Sequence, residues 1–412
     1  MTASLRLRRF LLLLAAPVLA LVISLVAVTL LLLAIGNSPG ETFQTMLRTG
    51  TQPNAVVDIV NKGTFLYIAA LAVAIGFKMN LFNIGVDGQY RLAALIAAGV
   101  GGAPGIPGFL RLPLILVAAV LVGAMWAGIA AVLKITRGVN EVLSTIMLNA
   151  IATAATAYLL QDGGLGVITG NSIGTRPVPE SGWFPSLDPI ARPLLGAFGL
   201  TPSPSKQVYG FLVVAVLLGI GFWVLVNRTR FGFDLRATGA NPSAAVASGI
   251  NVKRMILVSM LLSGAVAGLV GMPLLLESSG HNYSQNFPTG IGFTGIAVAL
   301  LGRNSPIGIA FAALLWAYLD VTTAPLALFG ISDKLSAIMQ ALILLAVVVA
   351  YEVVRRTTAA SEQRRVAREL GDDTAPAPTA GVEMSKASRA GMPTDKAESA
   401  DRPGAADTGT RR

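Results

Sequence analysis

The sequence predicts an all-α protein: a polytopic transmembrane helical bundle of about ten spans, some short or broken, with both termini in the cytoplasm. Composition comes first. Apolar residues make up 54% of the 412-residue chain and charged residues only 13%, against about 25% charged in soluble domains. Mean hydropathy is +0.68, which excludes an ordinary soluble enzyme. The second observation is pattern. The apolar residues gather in continuous runs close to the ~20 that cross a bilayer, without the period-two alternation of a barrel.

These runs fall at 11–35, 63–79, 90–105, 112–133, 141–160, 208–226, 255–276, 290–301, 307–328 and 335–354. The second, third and eighth are short or interrupted. The 11–35 run has too long an apolar core for a signal peptide, and no small-residue cleavage site follows Leu33, so it is expected to remain as a helix. Arginine and lysine set the orientation. Arg6, Arg8 and Arg9 precede the first run, and Arg355 and Arg356 follow the last, so both ends read as cytoplasmic. The same parity puts Lys134, Arg137, Arg228, Arg230, Arg236, Lys253, Arg254 and Arg303 inside. Arg48, Lys62, Arg111, Arg176, Arg192, Lys206 and Lys334 fall outside, matched by seven acids there: Glu41, Asp58, Asp162, Glu180, Asp188, Glu277 and Asp333.

Residues 1–355 are thus expected to form the membrane domain, and 356–412, poor in aliphatic clusters, a disordered cytoplasmic tail. The net charge of +10 fits basic cytoplasmic loops and does not call for nucleic acid. With no cysteine and one histidine, thiolate metal sites and His-based chemistry have little to build on. Two polar loops stand out: 162–206, outside, and 227–253, inside and basic.

Three stretches carry polar groups where the membrane penalises them. In Gly76–Gln89, glycines and polar residues interrupt an apolar run, and an Asp at a helix centre costs about 2.5–3.5 kcal/mol on insertion scales. Asn83, Asp87 and Gln89 read either as the lining of a translocation path at a broken helix or as ordinary members of a tight cytoplasmic turn. Farther along, Glu141, Thr145 and Asn149 stack on one face of a helix, with Ser144 beside them. That stripe suits a hydroxyl-rich solute, and equally helix–helix hydrogen bonding. In the inside loop, Asn241 can cap a helix whose first residue is Pro242, closed about seven residues later by Gly249. Such a short, separately capped helix is a docking knob for a cytoplasmic partner, or else a solvated turn.

Enzymatic readings find little support. Gly-Lys does not occur, so the chain has no P-loop of its own. A Ser–His hydrolase needs the two on facing helices; Ser263 sits in a small-residue run, but His281 lies beyond a helix end.

Together these stretches resemble the permease subunits of ABC importers, in the branch that includes ribose-type sugar permeases, and most of all the purine and pyrimidine nucleoside permeases. Phe82-Asn83-Ile84-Gly85-Val86-Asp87-Gly88-Gln89 resembles their Phe-Asn-Ile-Gly-x-Glu/Asp-Gly-Gln signature. Asn140–Asn149 resembles a second motif, Gly239-Ala240-Asn241-Pro242-Ser243-Ala244-Ala245 the coupling-helix segment, and Gly292–Arg303 a fourth. The resemblance spans roughly 10–355 and implies a multi-pass protein of the bacterial cytoplasmic membrane, importing nucleosides. It implies that ATP and Mg are used by separate ATPase subunits, this chain binding no cofactor itself. The ATPase would engage Gly239, Asn241, Pro242, Ala244, Ala245 and Gly249. Further implied partners are a second permease subunit, identical or paralogous, an extracytoplasmic substrate-binding lipoprotein and membrane lipid. Candidate path residues are Asn83, Asp87 and Gln89, then Glu141, Thr145 and Asn149, with Phe82 and Phe293 as stacking walls. The alternatives are a simple-sugar permease of the same kind and an ion-coupled carrier using Asp87, Glu141 or Asp320.

Overall fold

The computed structural model describes residues 3–161, 163–169, 172–278, 280–329, 337–350, 352–354 and 356–357, with side chains from residue 18 onward. Asp162, Asp333, Lys334, Arg355, the start of the last apolar run, the side chains of Arg6, Arg8 and Arg9, and the tail beyond residue 357 lie outside the described residues.

Helix α1 (Ala3–Ala34) ends at Gly36 with φ +83°. The chain then turns by 120° into α2 (Pro39–Gly50), capped by the Ser38 hydroxyl with Pro39 at its first position. There follow α3 (Pro53–Phe77), α4 (Val86–Gly101), α5 (Gly108–Arg137) and α6 (Glu141–Leu159). An antiparallel hairpin, β1 (Gly166–Thr169) and β2 (Ser172–Thr175), leads to α7 (Asp188–Ala197). Next come α8 (Phe211–Arg228), α9 (Arg230–Ala240), α10 (Pro242–Ala247), α11 (Val252–Gly268) and α12 (Met272–Leu276). Last are α13 (Ile291–Leu301), α14 (Pro306–Thr323) and α15 (Ala337–Val354).

Among the described residues seven helices are long and apolar enough to cross a membrane, or eight if α1 and α2 form one bent span. The other two of the ten expected runs are α4, with 16 residues, and α13, with 11. The second run is longer than the sequence suggested. Helix α3 begins at Pro53 and includes Asp58 and Lys62, whose charges had cut the run short. Asp58 pairs with Lys206 at 2.7 Å and Lys62 with Asp320 of α14 at 2.8 Å, so neither charge stands alone in the helix. The described part of loop 162–206 is tied to α3 and to the start of α8 by side-chain hydrogen bonds. Asp188 accepts from the Val208 N–H (2.9 Å) and from Arg192 (3.0 Å), while Asn61 donates to the Gln207 carbonyl (2.8 Å) and accepts from the Tyr209 N–H (2.9 Å).

Helix α3 is the hub. Thirteen consecutive residues from Thr64 to Gly76 include only one that is not buried, and α8, α11, α13 and α14 pack around it. A helix apolar all round belongs inside a bundle. Helices α5, α6 and α8 instead leave apolar residues such as Leu121, Met125, Met147 and Leu217 exposed, as lipid-facing helices do. The most intimate pair is α5 with α11. A Cβ added at Gly123 would meet Gly268 backbone at 2.8 Å, and Gly264 and Gly268 press in turn on Ala127, the Gly123 carbonyl and the Ala119 carbonyl. Small residues four apart let two backbones touch, the van der Waals basis of packing inside a membrane.

Two sharp breaks divide the bundle. After α3 the chain passes through Asn80 at φ +60°, with the Leu81 N–H closing on the Gly76 carbonyl (3.0 Å). After α13 it passes through Arg303 and Asn304 at φ +54° and +52°, with the Asn304 N–H closing on the Ala299 carbonyl (2.9 Å). Both are six-residue closures of the Schellman kind, which satisfy carbonyls a terminated helix leaves open.

Candidate functional site

The first break is held by side-chain amides. Asn83 and Gln89 face each other reciprocally: Asn83 Nδ2 donates to Gln89 Oε1 at 3.0 Å and Gln89 Nε2 to Asn83 Oδ1 at 2.9 Å. Asn83 Oδ1 also accepts the Gly85 N–H (3.0 Å), and its Nδ2 donates to Ser263 Oγ of α11 (2.8 Å). Ser263 passes its own proton to the Ala72 carbonyl of α3 (2.6 Å). Asn149 of α6 reaches across the same break, accepting the Gly88 N–H (2.8 Å) and donating to the Ile84 carbonyl (2.9 Å). Asp87 Oδ1 accepts the Gly292 N–H at the start of α13 (3.3 Å). Three helices, α6, α11 and α13, therefore meet the start of α4 through buried polar groups, and α3 joins them through Ser263, as a membrane interior demands.

Six of the eight expected path residues are buried in the single chain: Asn83, Asp87, Gln89, Glu141, Thr145 and Asn149. Of these, Asn83, Asp87, Gln89 and Asn149 join the network at the break. Thr145 instead donates to the Glu141 carbonyl within its own helix (2.7 Å), and the Glu141 carboxylate pairs with Lys134 of α5. The two aromatic candidates are open, Phe82 at 44% exposure and Phe293 at 51%. Phe82 meets Phe77 edge-to-face at 5.0 Å, leaving part of its ring free. Sequence reasoning had considered Ser263 only as a nucleophile. Its hydroxyl is engaged by Asn83 and Ala72, while His281 stacks on Trp183 with ring centres 3.8 Å apart. The signal for Ser263 was its place one residue before Gly264 and five before Gly268, on a helix that close packing must bury.

The segment 227–253 folds as α9 and α10. Asn241 Oδ1 accepts the Ala244 N–H at 3.1 Å, Pro242 opens α10, and Gly249 at φ +80° follows its end. Ala244 is exposed and Ala245 buried, and Phe233 and Val246 stand free at 61% each. Gly239 packs on backbone: a Cβ there would meet the Lys78 carbonyl at 2.8 Å and Met79 at 2.9 Å.

At the other end of α8, Glu277 lies beyond α12 and is buried. Its carboxylate accepts the N–H of Gly210 and, at 3.2 Å, of Phe211, two donors the start of α8 leaves open. Burial pushes its carboxyl up to about 8, against the pull of these two N–H groups. A raised carboxyl pKa favours the folded state fully below the ordinary value of 4.5, and the benefit drains away as pH rises through about 8. The wild-type protein is expected to lose on the order of a few kcal/mol of stability between pH 5 and pH 9 from this group. Thermal melting of Glu277→Gln should be flatter across that window; a full pH dependence in the variant would assign it elsewhere.

Comparison with known proteins accords with this architecture. The family profile described as branched-chain amino acid transport system, permease component, matches residues 55–348. The guanosine ABC transporter permease protein NupP of Bacillus subtilis is 32% identical over 339 residues, 82% of this chain and 93% of the relative. The glucose ABC transporter permease protein TsgB13 of Haloferax volcanii is 33% identical, over 80% of this chain and 85% of its own. The nucleoside ABC transporter permease protein NupB of Lactococcus lactis is 29% identical, over 81% and 90%. No solved structure matches. A chain with this family's profile over most of its length, and with seven or eight helices fit to cross a bilayer among its described residues, belongs to the branched-chain amino acid transport system permease family, as the membrane-embedded permease subunit of an ABC transporter and not an enzyme.

Proposed function

We propose that this permease imports nucleosides, driven by ATP that separate ATPase subunits hydrolyse. The observation that carries the reading is near full-length similarity to guanosine and nucleoside permeases, joined to a polar broken helix flanked by open aromatic rings. A nucleoside asks for two things: a surface on which its base can stack, and donors and acceptors for base edge and ribose hydroxyls. Phe82 and Phe293 meet the first need. Asn83, Asp87, Gln89 and Asn149 meet the second when α6, α11 and α13 shift relative to α4 and release bonds these groups make to one another. Glu141 and Thr145 extend the polar face toward α5.

Two permease subunits, identical or paralogous, enclose the path, and the exposed apolar faces of α5 and α6 leave room for such a partner. A substrate-binding lipoprotein delivers the nucleoside to the end that bears the β1–β2 hairpin. The α9–α10 segment, with Phe233, Val246 and Ala244 exposed, docks on the ATPase in the cytoplasm. The same machine carrying a simple sugar is the second reading, favoured by the similarity to a glucose permease.

Uptake of labelled uridine, adenosine, guanosine and ribose, in cells with and without the gene and before and after ATP depletion, tests this. Deletion is expected to abolish ATP-dependent nucleoside uptake and leave ribose uptake intact. Loss of ribose uptake alone would make the cargo a sugar. Uptake that follows an ion gradient and ignores ATP would overturn the reading.

A further inference from the structure

Helix α8 packs on α3 and α14, and between α3, α8 and α11 runs a groove of about 280 Å³. Leu71 and Ile75 of α3, Leu218 and Leu225 of α8, and Leu262 and Val266 of α11 line it. On α8 it extends from Val214 to Leu225, eleven steps along the helix or about 16 Å. That is close to half the roughly 30 Å hydrocarbon core, the depth of one leaflet.

Beyond Ile75 and Leu225, where the groove ends, lie two cations, Lys78 and Arg236. On α8 Arg228 follows Leu225 by three positions, but its guanidinium turns to the Trp223 ring at 5.1 Å, on the side of the helix away from the groove. Lys78 follows Leu71 by seven positions, two turns along the same side of α3. Arg236 of α9 donates to the Val226 carbonyl, beside Leu225. Burial, and then the Arg236 charge, hold the Lys78 ammonium below the usual lysine range, which marks these two cations as neighbours. Among the described residues the ion pairs engage Lys62, Lys134, Arg192 and Lys206; none engages Lys78, Arg228 or Arg236.

We propose that the α3–α8–α11 groove is a binding site for an anionic phospholipid, one acyl chain lying along Leu71, Leu218, Leu225 and Leu262 and the phosphate headgroup meeting Lys78 and Arg236. The occupant follows from the match of two features. An apolar channel one leaflet deep fits an acyl chain, and the unneutralised cations at its mouth lie where the chain's headgroup must sit. A zwitterionic lipid would fill the channel without answering the charge. Basic pockets between transmembrane helices select anionic headgroups on this principle, at close to one leaflet's surface. The site is independent of the cargo the permease carries.

Glycine 221 offers a clean probe. It lines the groove, and a Cβ built there meets nothing within 4 Å, so a large side chain enters the channel without displacing protein atoms. The experiment is native mass spectrometry of the full-length permease, purified in its transporter complex and titrated with palmitoyl-oleoyl phosphatidylglycerol or the matching phosphatidylcholine. The wild type is expected to retain phosphatidylglycerol at least about tenfold more tightly, with the preference shrinking as salt rises. Lys78→Gln with Arg236→Gln should erase the preference, and Gly221→Phe should remove one bound lipid at unchanged melting temperature. Equal retention of the two lipids by the wild type overturns the proposal, and this comparison stands even where a variant fails to fold. An undiminished preference in the Gln pair, or undiminished lipid in Gly221→Phe, also overturns it. So does loss of a protein subunit in place of lipid, which would make the groove a subunit interface.

Discussion

Gly268→Val is expected to leave almost no folded permease in the membrane. The new Cβ would fall on the Ala119 carbonyl of α5, and a backbone carbonyl cannot swing aside as a flexible side chain does. Helix α11 must then move off α5, opening the packing of Gly123, Ala127 and Gly264 together. Overpacking at one side chain costs about 1–3 kcal/mol, and a backbone clash at the closest helix pair stands at or beyond the top of that range. The displacement also reaches Ser263, which α11 presents to Asn83 at the broken helix. Yield of monodisperse protein after detergent extraction, with its melting temperature, measures the effect. Gly221→Val on α8 is the control, since a side chain there meets open space. Equal behaviour of the two variants would mean that close backbone approach is not what holds α5 to α11.

Asn83→Ala is expected to abolish uptake and to lower stability together. The substitution strips both partners from the Gln89 amide, the acceptor from the Gly85 N–H and a neighbour from Ser263, all in a buried site. Each buried polar group left unsatisfied costs about 1–3 kcal/mol, so a loss of several kcal/mol is expected. Asp87→Asn separates structure from cargo. An Asn Oδ1 can still accept the Gly292 N–H, so melting should hardly change, while the carboxylate that the path reading assigns to the nucleoside is gone. Reduced uptake at unchanged melting supports a cargo role for Asp87; normal uptake removes it from the path and leaves it a staple between α4 and α13.

What could be read from the sequence was what depends on near neighbours. The Asn241 cap, Pro242 at the first turn of α10 and Gly249 after its end are local chemistry, and the helix appears between them. The interruption at Gly76–Gln89 was visible because polar residues break an apolar run. Its partners were not. Asn83 meets Ser263 across 180 positions and Gly88 meets Asn149 across 61, and no periodicity reports such distances. Charge misled where it was paired: Asp58 and Lys62 shortened the apparent second run, although Lys206 and Asp320 neutralise them within the fold. Glu277 counted as one more loop acid until the start of α8 was seen to rest on it.

The contact of Gly239 with Lys78 and Met79 has a mechanical meaning. Where long side chains separate two elements, rotamer changes absorb the first ångström of movement. Here main chain lies against main chain, with no such cushion. On the docking reading, a load applied to α10 would pass through α9 and reach Met79, four residues before Asn83. The docking segment and the turn at Asn83 would then move with little slack between them.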